Sequence, residues 1–208
     1  MRRGLFITLE GIEGAGKSTV AKLALAWLTQ HRIPGRLTRE PGGTPLAERV
    51  RQIVLERDVE PVSPVTETLL MFAARDLHIR NVIRPALERG EWVICDRFTD
   101  ATRAYQGSGR GVDPHLIESL ASAVHAGLTP DCTLLLDLPV KVGLARARGR
   151  ATGDADRFEA ETAGFFEKVR AGYLELARRE AGRFQMIDAS APLPAVEEQV
   201  ERILEGLV

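Results

Sequence analysis

The chain has 208 residues, enough for one sizeable core, and its 44% hydrophobic and 27% charged residues are ordinary for a globular protein. The net charge of −1 argues against a nucleic-acid polymer or a membrane surface as partner, and no apolar run approaches the ~18 residues of a membrane span. The two cysteines, Cys95 and Cys132, lie in apolar β-prone runs, so we expect reduced, buried thiols and a cytoplasmic location.

The amino-terminal part of the chain contains a phosphate-binding motif. Residues 11–18 fit G-x-x-x-x-G-K-[ST], in which backbone N–H groups cradle phosphates, Lys17 reaches the β- and γ-phosphates and the Ser18 hydroxyl binds Mg²⁺. A β-prone run at 5–9 precedes the motif, and residues 18–28 have helical spacing. This order is the one the motif needs, because the start of the helix points unsatisfied N–H groups at the anion.

The rest of the chain alternates apolar strands with helical segments. The predicted strands cover residues 5–9, 36–39, 92–97, 132–137 and 183–187. The predicted helices cover residues 18–28, 46–55, 66–89, 114–127, 140–148 and 158–181, with one more at the carboxyl terminus. A glycine-rich loop is expected through Gly107, Gly109 and Gly111. The pattern predicts an α/β fold, with a five-stranded parallel sheet covered by helices on both faces, in a single domain over residues 1–208.

Charged side chains lie at the carboxyl ends of three of the predicted strands. They are Glu10 after the first strand, Arg39 and Glu40 at the end of the second, and Asp96 and Arg97 at the end of the third. Ligands of parallel sheets bind beyond the carboxyl ends of the strands, so these side chains are expected around the phosphate loop. Asp96 is the candidate carboxylate for Mg²⁺, with a helix cap for the segment near Thr99 as the alternative. Arg97 suits a two-pronged contact with a phosphate.

The polar segment at residues 149–157 has the composition of a small mobile lid, approached by Arg146, Arg148 and Arg150. Residues 12–15 of the phosphate loop carry no basic side chain, so a cation from elsewhere would be useful there. Closure of the lid would bring arginines onto the transferring phosphoryl group, as an arginine finger in cis. The alternative interpretation is a solvated helix end.

Several stretches, in one order along the chain, resemble the bacterial thymidylate kinases. They are residues 11–19, 38–44, 72–75, 96–98, 104–107 and 146–159, which together span nearly the whole chain. The resemblance is to the subgroup whose catalytic arginines come from the lid. It implies a P-loop nucleoside-triphosphate hydrolase fold, transfer of a phosphoryl group from ATP with Mg²⁺ to dTMP, giving dTDP for dTTP biosynthesis, and a homodimer.

The same resemblance implies roles for individual residues. ATP would be held by Gly11, Ile12, Glu13, Gly14, Ala15, Gly16, Lys17, Ser18 and Thr19, and Mg²⁺ by Ser18 and Asp96. The implied dTMP-binding residues are Glu13, Arg39, Glu40, Arg51, Phe72, Arg75, Arg97, Thr102, Tyr105 and Gln106. The implied catalytic residues are Lys17, Arg97, Arg146, Arg148 and Arg150, with Arg146 also near adenine.

One position departs from the family pattern. Many members place a stacking phenylalanine four residues before the arginine that binds thymine, where this chain has Met71. Phe72 stands three residues before Arg75, and both offsets share a helix face with the arginine, so either side chain could cover the base. Phe72 is favoured here, and core packing is the alternative for both.

Two other functions remain open at this stage. One is a kinase for another deoxynucleotide or a deoxynucleoside, although Arg39, Arg51 and Arg97 suit an anionic acceptor. The other is a nucleotide-dependent switch, although the sequence has no guanine-selective N-K-x-D motif. The four histidines (His31, His78, His115 and His125) have no metal-binding spacing and are interpreted as structural or surface residues.

Overall fold

The computed structural model describes residues 3–56, 60–149, 157–158 and 161–208. Its sheet is formed by β1 (Phe6–Glu10), β2 (Gly35–Arg39), β3 (Trp92–Asp96), β4 (Cys132–Asp137) and β5 (Phe184–Asp188). The strands lie in the order β2-β3-β1-β4-β5, and every neighbouring pair is parallel. The predicted five-stranded parallel sheet is confirmed, and β1, which precedes the phosphate loop, is its central strand.

Helices connect the strands. They are α1 (Lys17–Gln30), α2 (Pro45–Leu55), α3 (Pro64–His78), α4 (Arg84–Glu88), α5 (Thr99–Thr102), α6 (Pro114–His125), α7 (Val140–Arg148), α8 (Ala163–Arg179) and α9 (Leu193–Glu205). A π-helical turn at Ile79–Ile83 joins α3 to α4, so the long helix predicted at 66–89 is continuous but changes its winding. The helix predicted from residue 158 begins instead at Ala163, where the Thr162 hydroxyl accepts a hydrogen bond from the Phe165 N–H at 3.2 Å.

The glycine-rich segment after α5 differs from its prediction. Residues Arg103–Gly109 form a π-helical continuation of α5 rather than a loop. A Cβ atom at Gly109 would lie 2.6 Å from a ring carbon of Phe165 in α8. Gly109 is therefore required for close packing of this segment against α8, which is a constraint that composition alone does not distinguish from a turn.

Helices cover both faces of the sheet. Successive strand residues point to opposite faces, so Ile7 and Ile94 pack in one apolar cluster with residues of α1 and α9. Phe6 and Val93 pack in a second cluster, on the other face, with Ile83 from the π-helical turn and its neighbours. The central strands are therefore buried on both sides, as their continuous apolar runs predict.

Both cysteines are buried and free. Within the described ranges, no helix has the length and apolar character needed to cross a membrane.

Leu134→Ala should destabilise the fold strongly, because Leu134 is fully buried in β4 between two neighbouring strands. Removing a buried leucine side chain costs about 2–5 kcal/mol of unfolding free energy. The matched control is Met186→Ala in the adjacent strand β5, where the side chain is 46% exposed and the loss should be below about 1 kcal/mol. Urea denaturation of both variants measures the difference, and equal losses would contradict this description of the core.

Candidate active site

The carboxyl ends of the strands meet at one edge of the sheet. Asp96 at the end of β3 is in register with Leu9 of β1 and Arg39 of β2. A cavity of about 250 Å³ opens there, beside the phosphate loop. The predicted site residues that line it are Glu13, Gly14, Gly16, Lys17, Ser18, Arg39, Glu40, Arg51, Arg75, Asp96, Arg97, Thr102, Tyr105 and Gln106. The wall also includes Pro41, Leu55, Phe98, Ala101 and Phe158, which the sequence reasoning did not assign.

The phosphate loop leads directly into α1. Gly14 has φ 75°, and a Cβ atom there would lie 1.9 Å from the carbonyl oxygen of Gly143, so the loop needs glycine at this position. The Lys17 ammonium group donates to the carbonyl oxygens of Gly11 at 3.1 Å and Ile12 at 2.9 Å. Burial, and after it the positive charge of Arg97, lower the pKa of Lys17. An anionic phosphate at this position would relieve both effects.

The two residues predicted to bind Mg²⁺ lie together. The Ser18 hydroxyl donates to Oδ2 of Asp96 at 3.3 Å. The alternative role of Asp96 as a helix cap is not supported, because α5 begins after Phe98 and no side chain caps it. Among the described residues there is no group of three or more His, Cys, Asp or Glu side chains placed to hold a metal. One hydroxyl and one carboxylate nevertheless suit Mg²⁺, which typically takes few protein ligands and completes its shell with phosphate oxygens and water.

Arg97 joins the two sides of the cavity. Its guanidinium donates to Oε1 of Glu13 at 2.5 Å and to the Tyr105 hydroxyl at 3.0 Å. It also donates to the carbonyl oxygen of Gly11 at 3.2 Å and to the Tyr173 hydroxyl at 3.3 Å. Burial acts to lower the pKa of Arg97, but the oxygens around it outweigh that effect and raise the pKa above its ordinary value. Arg97 is therefore a fixed cation next to the phosphate loop.

Beneath Arg97 lies a buried carboxyl group, Glu10, the last residue of β1. It accepts hydrogen bonds from the Phe98 N–H at 2.8 Å and from the Tyr173 hydroxyl at 2.7 Å. Burial, reinforced by the charge of Asp100, raises the pKa of Glu10 to about 8. Glu10 therefore links the sheet to the turn after β3 and to α8.

The base-recognition residues predicted from the resemblance surround Arg75. Its Nε donates to Oε2 of Glu40 at 2.7 Å, and its Nη2 donates to the Phe98 carbonyl at 3.2 Å and to the Thr102 hydroxyl at 3.1 Å. Its Nη1 is buried and, within the described part of the chain, has no hydrogen-bond partner. Arg75 therefore keeps one donor nitrogen for a ligand.

The structure places Phe72 differently from the expectation that it covers the base. Phe72 is 2% exposed and packs with Val112, Ile117 and Ala121, with its ring 4.7 Å from the guanidinium carbon of Arg75. Met71, and not Phe72, lines the cavity. The two adjacent side chains therefore diverge: Met71 faces the cavity, and Phe72 packs against α6.

A second buried carboxylate, Glu67, organises the far wall of the cavity. Its Oε1 accepts hydrogen bonds from Nε2 of Gln106 at 2.7 Å and from Nε of Arg110 at 2.9 Å. Its Oε2 accepts a hydrogen bond from Arg157. The residue after Arg157, Phe158, lines the cavity and lies edge-on to the ring of Tyr105, 6.0 Å between centroids. No motif in the sequence identifies Glu67, which looks there like an ordinary solvent-facing helix residue.

The remaining predicted arginines lie apart from this group. Arg39 donates to Glu48 at 2.9 Å and Arg51 to the carbonyl oxygen of Pro41 at 3.0 Å, both at the rim of the cavity. Arg146 donates to the Ala189 carbonyl at 2.7 Å in a second cavity of about 460 Å³. The second cavity lies on the other side of the phosphate loop. Besides Arg146, it is lined by the loop residues Gly14, Ala15 and Gly16 and by Thr19, Val20, Gly149, Ala189, Ala191, Leu193 and Val196.

Of the three arginines predicted to approach the lid, the structure describes two. Arg146 lines the second cavity, on the other side of the phosphate loop from Arg97. Arg148 is exposed on α7. Arg150 and residues 151–156 of the predicted lid lie outside the described residues.

A phosphate loop that follows the central strand of a parallel sheet, with a cavity on each of its sides, defines a nucleotide-binding protein of the P-loop class. The family model for thymidylate kinase matches residues 9–200. The thymidylate kinase of Pseudomonas putida (strain GB-1) is 55% identical over 205 residues, 99% of this chain and 97% of its own length. That of Alkalilimnicola ehrlichii is 53% identical over 209 residues, 100% of this chain and 95% of its own.

A solved structure agrees with these relatives. The crystal structure of thymidylate kinase from Ehrlichia chaffeensis superposes with a TM-score of 0.78 at 30% identity, covering 99% of this chain and 100% of its own. The chain belongs to the thymidylate kinase family and is a phosphotransferase.

Glu10→Gln should remove a pH dependence from the stability of the fold. The pKa of Glu10 is raised in the folded state to about 8 from an ordinary value of 4.5, so the folded chain binds this proton more tightly than the unfolded chain. The contribution of Glu10 to stability is therefore complete below pH 4.5 and is lost as the pH rises towards 8, with a slope on the order of 1 kcal/mol per pH unit. Glutamine does not ionise and has no such slope. Urea denaturation of both proteins between pH 5 and 8.5 measures the difference, and parallel profiles would refute it.

Proposed function

We propose that this chain transfers the γ-phosphoryl group of ATP to dTMP, giving dTDP for dTTP biosynthesis. The proposal rests on one observation: the phosphate loop forms part of the wall of the arginine-lined cavity. Lys17, Asp96 and Arg97 lie in that wall. A donor phosphate held by the loop and an acceptor phosphate held by Arg97 would then meet at this wall. Membership of the thymidylate kinase family supports the same donor and acceptor.

The acceptor cavity suits a nucleoside monophosphate. Arg97, with Arg39 and Arg51 at the rim, would surround the acceptor phosphate. Arg75 would donate to the base. We propose that Met71 rather than Phe72 covers its face, because Met71 is the one that lines the cavity. On the far wall, Thr102, Tyr105 and Gln106 would contact the base and the deoxyribose.

The reaction needs electrostatic support rather than a general base. The second pKa of a phosphate monoester is about 6, so the acceptor is already an anion at neutral pH. The main obstacle is repulsion between two anionic phosphates, which Lys17 and Arg97 would cancel from fixed positions. Arg148 and Arg150 are the arginines that we propose to complete this cation set from the lid, while Arg146 would hold the adenine side.

Mg²⁺ would be held by the Ser18 hydroxyl and the Asp96 carboxylate, directly or through water. The proximity of these two oxygens at the end of the phosphate loop supports that assignment. When bound, the ion would supply positive charge that neutralises the negative charge developing on the phosphate oxygens during transfer. Lys17 and the loop N–H groups would orient the phosphates independently of the ion.

We also propose a cytoplasmic homodimer. Free, buried cysteines suit a reducing compartment. Large apolar side chains are exposed on α2 and α3, namely Leu46 (51%), Ile53 (49%), Val65 (45%) and Leu69 (47%), and a second copy of the chain could cover them.

The proposed reaction is tested by the rate of ADP release with dTMP, dUMP, dCMP and thymidine as acceptors. We expect dTMP to give a higher kcat/KM than thymidine and dCMP, because the arginines at the acceptor cavity need a phosphate and Arg75 needs a base with a carbonyl acceptor at its 4-position. Thymidine outperforming dTMP would overturn the proposal in favour of a nucleoside kinase. Tight GTP binding without any acceptor-dependent turnover would overturn it in favour of a nucleotide switch.

Lys17→Ala should lower kcat on the order of 100-fold or more while leaving the fold intact, because a preorganised cation at the transferring phosphate is lost. The matched control is Lys22→Ala, which removes an exposed lysine from the same helix. ADP release and thermal unfolding are measured for both. Equal activity of the two variants would refute the role of Lys17.

A further inference from the structure

A buried chain of polar groups extends behind Arg75, away from the cavity. Nε of Arg75 donates to Oε2 of Glu40 at 2.7 Å, and Nδ1 of His78 lies 2.9 Å from Oε1 of the same carboxylate. Nε2 of His78 lies 2.6 Å from the hydroxyl of Thr38 in β2. Arg75 and Glu40 are each 3% exposed and His78 is fully buried, so water cannot easily replace any of these partners.

Glu40 is a carboxylate whose two oxygens have different partners. Burial acts to raise the pKa of Glu40, but Arg75 and the hydrogen bond from His78 outweigh it and lower the pKa below its ordinary value. Oε2 faces Arg75 and Oε1 faces His78, so the plane of the carboxylate is fixed at both ends. Without the donor on Oε1, Glu40 would be free to turn about its terminal bond, and the position of Arg75 would loosen with it.

The imidazole ring of His78 is itself held by the backbone around it. The ring closes the last turn of α3, just before the π-helical turn. A Cβ atom at Gly43, where φ is 85°, would lie 2.4 Å from Cδ2 of the ring. The loop that carries Glu40 therefore packs directly on the imidazole, and Thr38 fixes the ring from the other side. Two ring nitrogens with two fixed partners leave one orientation for the ring.

We propose that His78 is a positioning residue for recognition of the acceptor base. In this arrangement the Nδ1–H of His78 holds Glu40, Glu40 holds Nε of Arg75, and Nη1 of Arg75 is left to the base. The inference rests on the proposed role of Arg75 and adds to it the group that sets its geometry. His78 does not line the cavity, so it acts on the substrate only through Glu40 and Arg75.

The chemical consequence is discrimination between bases by the group at their 4-position. A guanidinium has only donors. A carbonyl oxygen, as in thymine and uracil, accepts from it, whereas the amino group of cytosine presents a second donor. An arginine held in one orientation therefore favours thymine over cytosine strongly, and an arginine that can move favours thymine less.

The test uses two amide variants that each retain one end of the imidazole. In His78→Asn the side-chain amide lies near the position of Nδ1 and keeps the donor to Glu40. In His78→Gln it lies near the position of Nε2 and keeps the contact with Thr38 only. We expect His78→Asn to keep the KM for dTMP close to that of the unmodified chain. His78→Gln should raise this KM about tenfold and lower the ratio of kcat/KM for dTMP over dCMP, with kcat and the KM for ATP unchanged.

If His78 served packing alone, the KM for dTMP would change more in His78→Asn than in His78→Gln, because glutamine fills the volume of the imidazole better than asparagine does. Equal KM values for dTMP in the two variants, or a larger effect in His78→Asn, would overturn the proposal. If His78→Gln does not fold, Glu40→Gln is measured in its place, since it weakens the contacts to His78 and Arg75 together. An unchanged KM for dTMP in Glu40→Gln would also overturn the proposal.

Arg75→Ala, assayed in parallel, separates this inference from the proposed function. An unchanged KM for dTMP in Arg75→Ala would refute the assignment of Arg75 to the base, and the role of His78 with it. A raised KM in Arg75→Ala, together with no difference between His78→Asn and His78→Gln, would refute the role of His78 alone.

Discussion

The turn at Arg97 is the constraint on which the site depends. Arg97 has φ 70°, a left-handed conformation that costs a non-glycine residue on the order of 1 kcal/mol. Its N–H still donates to the Leu9 carbonyl of the central strand at 2.9 Å, so the turn begins in register with the sheet. The reversal then brings the Phe98 N–H onto the buried carboxyl of Glu10 and the guanidinium of Arg97 onto Glu13. These contacts offset the strain, and the donor and acceptor sides of the cavity consequently share one rigid frame.

The charges in this frame are arranged for a ligand that carries negative charge. The positive charge of Arg97 disfavours the charged form of Lys17, and Glu13 together with the backbone carbonyls of the loop compensates only in part. Phosphate groups would complete the compensation, so nucleotide binding should stabilise the folded chain as well as prepare the reaction. The charges that we propose to support phosphoryl transfer are thus also the ones that make the unliganded site less stable.

The sheet and the phosphate loop could be predicted because their signals are local. Apolar runs mark the strands, and the glycine spacing before Lys17 requires a strand on one side and a helix on the other. The loop predicted through Gly107 and Gly109 was wrong, because a glycine can indicate either a turn or the close packing of two helices. The choice between Met71 and Phe72 could not be made from the sequence, because both lie about one turn before Arg75 and only the packing of Phe72 against α6 separates them. Buried charges such as Glu67 could not be foreseen, because their partners lie 39 to 90 residues away in the sequence.

Glu67 has a consequence for how this site can change in evolution. A single buried carboxylate accepts hydrogen bonds from Gln106, which lines the cavity, and from Arg157, next to Phe158. Residues that share a partner do not contribute independently, so the effects of substitutions at Gln106 and Arg157 will be epistatic rather than additive. The proposed contact of Gln106 with the acceptor is therefore energetically coupled, through Glu67, to the segment that carries Phe158.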